Sequence, residues 1–377
     1  MSALEGPTIH VSGHVILGAD QEVGDAWVKD GALSLTRPSA QGTNMTELSG
    51  WVVPGLVDVH CHVGLGADGP VDEDVAEAQA RADRDAGVLL IRDAGSPADT
   101  RWVQQRPDLP RLVRAGRHIA RPRRYLRNYG LELEDPSQLA DVVRAEARTG
   151  DGWVKLVGDW IDRDMGPGAD LRPLWTREQL VGAVEAAHAE AARVTVHAFS
   201  AEVIPDLVEA GVDCIEHGTG IAPEIMYEIS ERGIAVTPTL LQVSRFEQIA
   251  DQAAGKYDVF ARRLRGMHER RYEQVREMYD AGIQLLVGTD AGGTIDHGRL
   301  AAECAELVEA GLPARDVVAA ASWEGRAFLG YGSLVEGASA DFVVYPEDPR
   351  LDVGVLKHPA AIVLRGEIVG GSLATAR

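Results

Sequence analysis

The chain of 377 residues carries 37 lysine and arginine residues against 58 aspartate and glutamate residues, which gives a formal net charge of −21. This acidic excess argues against binding to a nucleic-acid backbone or to an anionic membrane surface, because both need a basic face. A hydrophobic content of 45% and only 3 cysteines exclude a disordered chain and a disulfide framework, and indicate a globular protein in a reducing compartment.

Both ends of the chain have the pattern of short β-strands. Residues 1–53 contain apolar runs at 8–11, 14–17 and 25–28, the last followed by the hairpin turn Asp30-Gly31. Residues 333–377 contain further runs at 341–345, 361–364 and 367–369. We expect the segments 1–53 and 333–377 to pair as one small β-sandwich domain, since neither set of strands is large enough to form a core alone.

The middle of the chain, residues 54–332, alternates short apolar strands with helical patterns. The strands are predicted at 52–59, 88–91, 111–115, 153–157, 194–196, 213–215, 234–237 and 283–287. Their helices are predicted at 72–85, 98–104, 137–149, 177–192, 201–210, 223–232, 259–281 and 299–310. Eight such units predict a (β/α)8 TIM-like barrel as the catalytic domain. The alternative, an open doubly wound sheet, would need a glycine-rich phosphate loop after its first strand, and the sequence has none there.

Polar side chains follow several of these strands where each strand ends. His60 and His62 are two residues apart on the first strand and therefore point to the same side. His197, His217 and Asp290 end the fifth, sixth and eighth strands. Each histidine alone could be a core residue, but the carboxyl ends of barrel strands meet at the active-site mouth. Imidazoles and a carboxylate gathered there predict a metal site.

Lys155 lies inside the fourth strand, where an unpaired ammonium group is costly to bury. The sequence leaves two explanations open. The amine could be carbamylated by CO2, which gives a carboxylate able to bridge two metal ions. It could instead stay an ammonium group paired with an acidic side chain.

The strand-end segments resemble the amidohydrolase superfamily, most closely its imidazolonepropionase-like branch with metal-dependent Xaa-Pro and Xaa-Arg dipeptidases. The segments are Pro54–His62, Lys155, His197, Glu216-His217-Gly218, Gly288-Thr289-Asp290 and Gly337–Val344. The resemblance implies that His60 and His62 bind one metal ion with Asp290, and that His197 and His217 bind a second. It also implies a carbamate on Lys155 that bridges both ions. Since single-metal members lack the lysine, two divalent ions are expected, with zinc as the metal.

Substrate-binding residues are sought in the loops after the strands. His118 follows the third strand and either contacts the substrate or belongs to a solvated basic loop. Trp160 follows the fourth strand and either narrows the pocket or packs within its loop, and Arg163 is a further candidate in the same loop. His297 lies in the loop after Asp290 and could line the pocket.

The predicted function is hydrolysis of an amide-type C–N bond in a small molecule, such as a dipeptide, an N-acyl amino acid, a lactam or a carbamate. A metal-bridging hydroxide would attack, and Asp290 would take up its proton and pass it to the leaving amine. The alternatives are a mononuclear deaminase or an imidazolonepropionase-type ring-opening hydrolase, a decarboxylase, and a non-catalytic binding protein.

The expected partner is a small-molecule substrate, with neither nucleic acid nor membrane, and a homo-oligomer is possible for this superfamily. The first residues show no signal-peptide pattern, and no apolar run approaches the ~18 residues of a membrane span. We therefore expect a cytoplasmic protein.

Overall fold

A computed structural model describes residues 8–37 and 45–373 and shows an α/β protein with mixed sheets. The strands are β1 Thr8–Gly18, β2 Gln21–Lys29, β3 Ala32–Ser34, β4 Met45–Pro54, β5 Leu56–Cys61, β6 Leu65–Gly66, β7 Gly69–Pro70, β8 Val88–Asp93, β9 Arg111–Arg114, β10 His118–Ala120, β11 Gly130–Glu132, β12 Trp153–Val157, β13 Asp159–Ile161, β14 Leu171–Pro173, β15 Arg193–Ala198, β16 Cys214–His217, β17 Ala235–Thr237, β18 Phe342–Tyr345, β19 Ala361–Leu364 and β20 Glu367–Gly370.

The helices occupy most of the segments between these strands. They are α1 Glu73–Asp85, α2 Leu139–Thr149, α3 Arg177–Ala189, α4 Ile204–Ala210, α5 Pro223–Glu231, α6 Leu240–Val243, α7 Phe246–Ala253, α8 Asp258–Asp280, α9 Leu300–Glu309, α10 Ala314–Ala320 and α11 Trp323–Phe328, with short 3₁₀ segments at Arg101–Gln105, Pro136–Gln138, Arg163–Gly168 and Val353–Lys357. In the described residues, no helix is both long enough and apolar enough to pass through a lipid bilayer.

Strands from both ends of the chain join in one seven-stranded sheet of order β20-β19-β18-β4-β1-β2-β3. The two runs predicted at 8–11 and 14–17 form a single strand, β1, which pairs with β4 in parallel. The predicted hairpin turn is present, and Asp30 and Gly31 have φ values of 51° and 78° as a type I′ turn requires. The described strands thus bring the two ends together in one mixed sheet, while a sandwich of two sheets and the domain boundaries stay predictions.

This terminal sheet has an apolar cluster of its own. Buried side chains from β1 and β2, including Ile9 and Val28, pack with Phe342 and Val363 from the other end of the chain. The larger cluster lies between the strands and helices of the middle segment. Residues distant in sequence therefore share the smaller core.

Nine strands of the middle segment run parallel in two sheets, β5-β8-β9 and β11-β10-β12-β15-β16-β17, and the remaining four form the antiparallel pairs β6-β7 and β13-β14. The eighth predicted strand, 283–287, forms no named strand, but its segment makes single parallel bridges from Leu285 to Val236 and from Ala291 to Cys61. It therefore lies between β17 and β5 and links the two sheets. This arrangement gathers the carboxyl ends of β5, β12, β15 and β16 at one place.

Helices α6 and α7, which the sequence pattern left unassigned, pack with the start of α8 over those strand ends. Their buried side chains form a separate apolar cluster that includes Val243, Phe246, Ala250 and Leu264, and Phe199 joins it from beyond β15. We refer to residues 240–264 as the α6–α8 wall.

Candidate metal centre and substrate cavity

The structure brings together the five side chains that the strand-end pattern singled out as imidazole and carboxylate ligands. His60 Nε2 and His62 Nε2 each lie 3.0 Å from Asp290 Oδ1. His217 Nε2 lies 3.0 Å from His197 Nδ1, and the rings of His60 and His217 are 5.3 Å apart between centroids. All four histidines are at least 96% buried. The parallel strands thus place these groups around one point.

The backbone around Asp290 is fixed by contacts that sequence reasoning did not identify. Asp58 accepts hydrogen bonds from the Thr289 hydroxyl at 2.6 Å and from the His60 N–H at 3.0 Å, which ties the segment to β5. Asp290 itself has φ 57°, and its N–H donates to the His60 carbonyl at 2.7 Å. At Gly288 a Cβ atom would lie 2.6 Å from the His60 Cβ, so a side chain there would displace a candidate ligand.

Hydrogen bonds orient two of the imidazole rings. His62 Nδ1 donates to the Gly95 carbonyl at 2.7 Å, which orients the ring so that Nε2, 3.0 Å from Asp290 Oδ1, would offer its lone pair to a metal ion bound at the centre. His217 Nδ1 lies 2.6 Å from the Thr239 hydroxyl and also turns its Nε2 toward the centre. Among the described residues, Nδ1 of His60 and Nε2 of His197 are buried without a hydrogen-bond partner, and His60 Nε2 meets Asp290 Oδ1 at 3.0 Å without the geometry of a hydrogen bond. Such orphaned nitrogens are what a metal ion would satisfy.

Burial sets the charge states of these groups. It lowers the pKa of His60, lowers that of His197 well below the ordinary value, and lowers that of His217 to about 3. Burial alone would raise the pKa of Asp290, but His60 and His62 outweigh it and hold that pKa well below its usual range. Neutral imidazoles around an ionised carboxylate form a donor set that fits zinc and similar divalent ions.

Lys155 is buried and paired with the carboxylate of Glu216, a residue to which the sequence pattern assigned no role. The Thr195 hydroxyl donates to Glu216 Oε1 at 2.6 Å, and Arg92 Nη2 lies 3.5 Å from the same oxygen. Burial alone would raise the pKa of Glu216, but His60, Lys155 and Arg92 together lower it well below the ordinary value. The ammonium–carboxylate pairing is the second of the two explanations left open for the lysine, and the carbamate stays a prediction.

A cavity of about 510 Å³ leads to these groups and is lined by His62, His197 and Asp290 at one end. Trp160 and Arg163 line it as well, so two of the four candidate substrate-binding residues face the same space. The Trp160 ring lies 5.4 Å from the His197 ring, between centroids, which places it directly beside a candidate ligand.

The other two candidates lie behind the cavity surface. His118 is fully buried, with its ring 5.1 Å from that of His62 and 5.3 Å from that of Tyr125, and burial holds its pKa well below the ordinary value. His297 Nδ1 lies 2.7 Å from the Asp83 carboxylate. Neither residue is part of the cavity lining. His118 therefore packs beside a candidate ligand ring, and His297 pairs with a side chain of α1.

A family model and a curated relative each match most of the chain. The model of the amidohydrolase family matches residues 51–369. An uncharacterized protein of Mycobacterium tuberculosis is 49% identical over 363 residues, which cover 96% of each chain. An ochratoxinase of Aspergillus niger is 26% identical over 229 residues, which cover 58% of this chain and 46% of that protein.

Solved structures show the same fold. A Xaa-Pro dipeptidase with methionine bound in its active site has a TM-score of 0.81 at 23% identity, with 96% of this chain and 99% of that chain covered. The structure of A. niger ochratoxinase has a TM-score of 0.76 at 19% identity, with 97% and 96% covered. The likeness extends over nearly the whole of each chain.

Proposed function

The chain belongs to the amidohydrolase family, whose members are enzymes that hydrolyse carbon–nitrogen bonds, and we propose that it cleaves an amide-type bond in a small molecule with the help of two divalent metal ions. The ions, zinc by the nature of the donors, would be held by His60, His62, His197, His217 and Asp290. A carbamate on Lys155 would bridge them. The observation that carries the proposal is the gathering of four buried imidazoles and one ionised carboxylate at the end of a cavity, with His60 and His62 each 3.0 Å from Asp290 and His197 3.0 Å from His217.

The substrate classes proposed are dipeptides, N-acyl amino acids, lactams and carbamates. An ochratoxinase and a Xaa-Pro dipeptidase among the similar proteins support an amide-type bond. The cavity sits at the carboxyl ends of the parallel strands, where a (β/α)8 barrel carries its active site. The barrel is part of the proposal.

Bound divalent ions would lower the pKa of a water molecule and polarise the substrate carbonyl. Asp290 lies at the cavity surface and is ionised, so its carboxylate is placed to accept the proton of the attacking water. The same carboxyl group would then give that proton to the leaving nitrogen. The ring orientations of His62 and His217, fixed by Gly95 and Thr239, would keep their Nε2 atoms turned toward the bound ions.

A single-metal site is the second candidate, as in a deaminase or an imidazolonepropionase-type ring-opening hydrolase. The pairing of Lys155 with Glu216 favours it, because an ammonium group cannot bridge two cations. Two zinc ions per chain and loss of activity in Lys155→Ala would support the first candidate. One zinc ion and an active Lys155→Ala variant would support the second.

The proposal is tested by a screen of the four substrate classes with zinc-loaded protein, together with a metal count by mass spectrometry. In Asp290→Asn, kcat should fall by at least about 100-fold, the usual contribution of a positioned acid–base group. Asp296→Asn is the matched control, since Asp296 is an exposed acid on the same loop that does not line the cavity. Equal activity of both variants would refute the assignment of Asp290. A homo-oligomer and a cytoplasmic location stay predictions from the sequence.

A further inference from the structure

The cavity wall contains a much larger share of aromatic residues than the chain as a whole. Phe, Trp and Tyr make up 5% of the residues, yet seven of them line this one cavity. They are Tyr125, Tyr129, Trp160, Phe199, Phe246, Tyr257 and Phe260. Such a wall suits a flat or bulky apolar group, and the cavity volume of about 510 Å³ is typical of a site for a drug-sized molecule.

The aromatic rings form a series that leads away from the candidate metal ligands. The Phe199 ring lies 4.3 Å from that of His197, and the Phe246 ring lies 4.9 Å from that of Phe199, between centroids. Tyr257 and Phe260 continue the same apolar cluster within the α6–α8 wall. A substrate that reaches the centre therefore contacts apolar rings along its body.

Most charged residues that line the cavity are basic, whereas the protein as a whole is acidic. Arg163, Arg245 and Lys256 line it, and Asp290 is the one acidic residue in the described lining. This contrasts with a net charge of −21 for the chain. Arg245 is held by the Thr294 carbonyl at 3.0 Å and by Gln248 at 3.3 Å.

The two outer cations are available to a ligand. Arg163 and Lys256 are exposed, and neither has a carboxylate partner among the described residues; the Lys256 ammonium lies 5.0 Å from the Tyr257 ring centroid. Nearby arginines are engaged, since Arg123 pairs with Asp164 at 3.1 Å and Arg124 pairs with Asp162 at 3.2 Å. The free positive charge therefore lies at the mouth, at the solvent end of the aromatic series.

We propose that this cavity selects amides that have an aromatic or bulky apolar body and carry an anionic group at the end remote from the bond that is cleaved. The anion binds Arg163 and Lys256, while the aromatic wall holds the body and directs the amide to the centre. A cationic substrate is repelled at the mouth, and a small uncharged one leaves the aromatic wall unfilled. The cleavage itself rests on the function proposed above, whereas the binding preference does not.

The test uses two chromogenic amides that differ only in charge, N-succinyl-phenylalanine 4-nitroanilide and its methyl ester. With zinc-loaded protein, kcat/KM for the acid should exceed that for the ester by about tenfold, which is the gain expected from one charge-assisted hydrogen bond. The ratio should fall toward one in the double variant Arg163→Ala/Lys256→Ala. It should be retained in Lys357→Ala, which removes an exposed lysine outside the cavity.

Binding of the same pair is measured by calorimetry on Asp290→Asn, in which turnover is expected to be lost. Tenfold tighter binding of the acid without cleavage by the wild-type protein would support the inference and count against the proposed function. Equal cleavage of acid and ester would support the function and overturn the inference. Absence of both cleavage and selective binding would also overturn it.

Discussion

The ion pair between Lys155 and Glu216 gives the sharpest prediction for stability. Both side chains are buried, with 1% and 0% of their surface exposed. Changing Glu216 to glutamine keeps the shape but removes the charge that neutralises the lysine. Removing one partner of a buried pair leaves the other charge uncompensated, which costs about 3–5 kcal/mol of unfolding free energy.

The assay is urea unfolding of chelator-treated protein, followed by tryptophan fluorescence. Glu228→Gln is the matched control, because Glu228 pairs with Arg232 at 2.8 Å on the helix surface with side chains 50% and 45% exposed. That variant should lose no more than about 0.5 kcal/mol. The double variant Lys155→Met/Glu216→Leu should be more stable than Glu216→Gln, since it removes the buried lysine charge that Glu216→Gln leaves uncompensated, while the loss of the carboxylate beside Arg92 is common to both variants.

Equal losses in Glu216→Gln and Glu228→Gln would refute this reasoning. They would mean that the Lys155 ammonium group is neutralised without Glu216. A double variant less stable than Glu216→Gln would show that the pair contributes through its geometry, and not through mutual neutralisation of two buried charges.

Three further predictions concern packing, pH and metal. Gly220→Ala should lower the unfolding free energy by about 1–3 kcal/mol, because the new Cβ atom would overlap the backbone of Ser200. Gly182→Ala is the control and should raise the melting temperature, because Gly182 lies within α3 and a Cβ atom there would meet no neighbouring atom. Burial raises the pKa of Glu303 to about 8, so the folded protein binds the proton of this carboxyl group more tightly than the unfolded chain does. The free energy of unfolding should therefore fall as the pH rises from 4.5 through 8. Glu303→Gln should therefore gain stability relative to the wild type over that range in urea titrations, and an unchanged difference would contradict the shift. Chelation of the metal should lower the melting temperature and added zinc should restore it, because a ligand that binds the folded state stabilises it. A melting temperature that does not change when zinc is added would argue against the proposed metal centre.

The strand-end residues could be predicted because one physical rule places them. Side chains at the carboxyl ends of neighbouring parallel strands meet, so His60, His197 and His217 needed only correct strands to be brought together. The family resemblance, which the family match confirms, then assigned them a chemistry. The roles of these residues as ligands stay predictions.

The remaining features depend on contacts between distant segments. The pairing of Lys155 with Glu216 and that of Asp58 with Thr289 join residues 61 and 231 positions apart, and no local pattern marks such pairs. His297 was a candidate for the cavity because it follows Asp290 closely, but its partner is Asp83, 214 positions away. Proximity in sequence could not identify that contact.

The α6–α8 wall had a readable signal that was missed. Its apolar residues Leu240, Val243, Phe246, Ala250 and Ala253 are spaced by three or four positions, which is typical of a helix. The prediction of a strand at 283–287 was wrong for a different reason. The chain there makes single bridges to its two neighbours, at Leu285 and at Ala291, and these do not form a continuous ladder of hydrogen bonds.

The separate apolar cluster of the α6–α8 wall has a consequence for how new specificities could arise. Half of the aromatic and cationic lining, five of ten residues, belongs to this wall, whose buried side chains form a cluster with Phe199 and Leu171, whereas the candidate ligands lie at the ends of the parallel strands beneath it. Substitutions or segment exchange within residues 240–264 could then change which molecules enter without disturbing the groups that carry out the reaction. Part of the cavity lining is thereby separated in the chain from the candidate ligands and can diverge at a different rate, which makes the wall a suitable target for recombination or directed evolution.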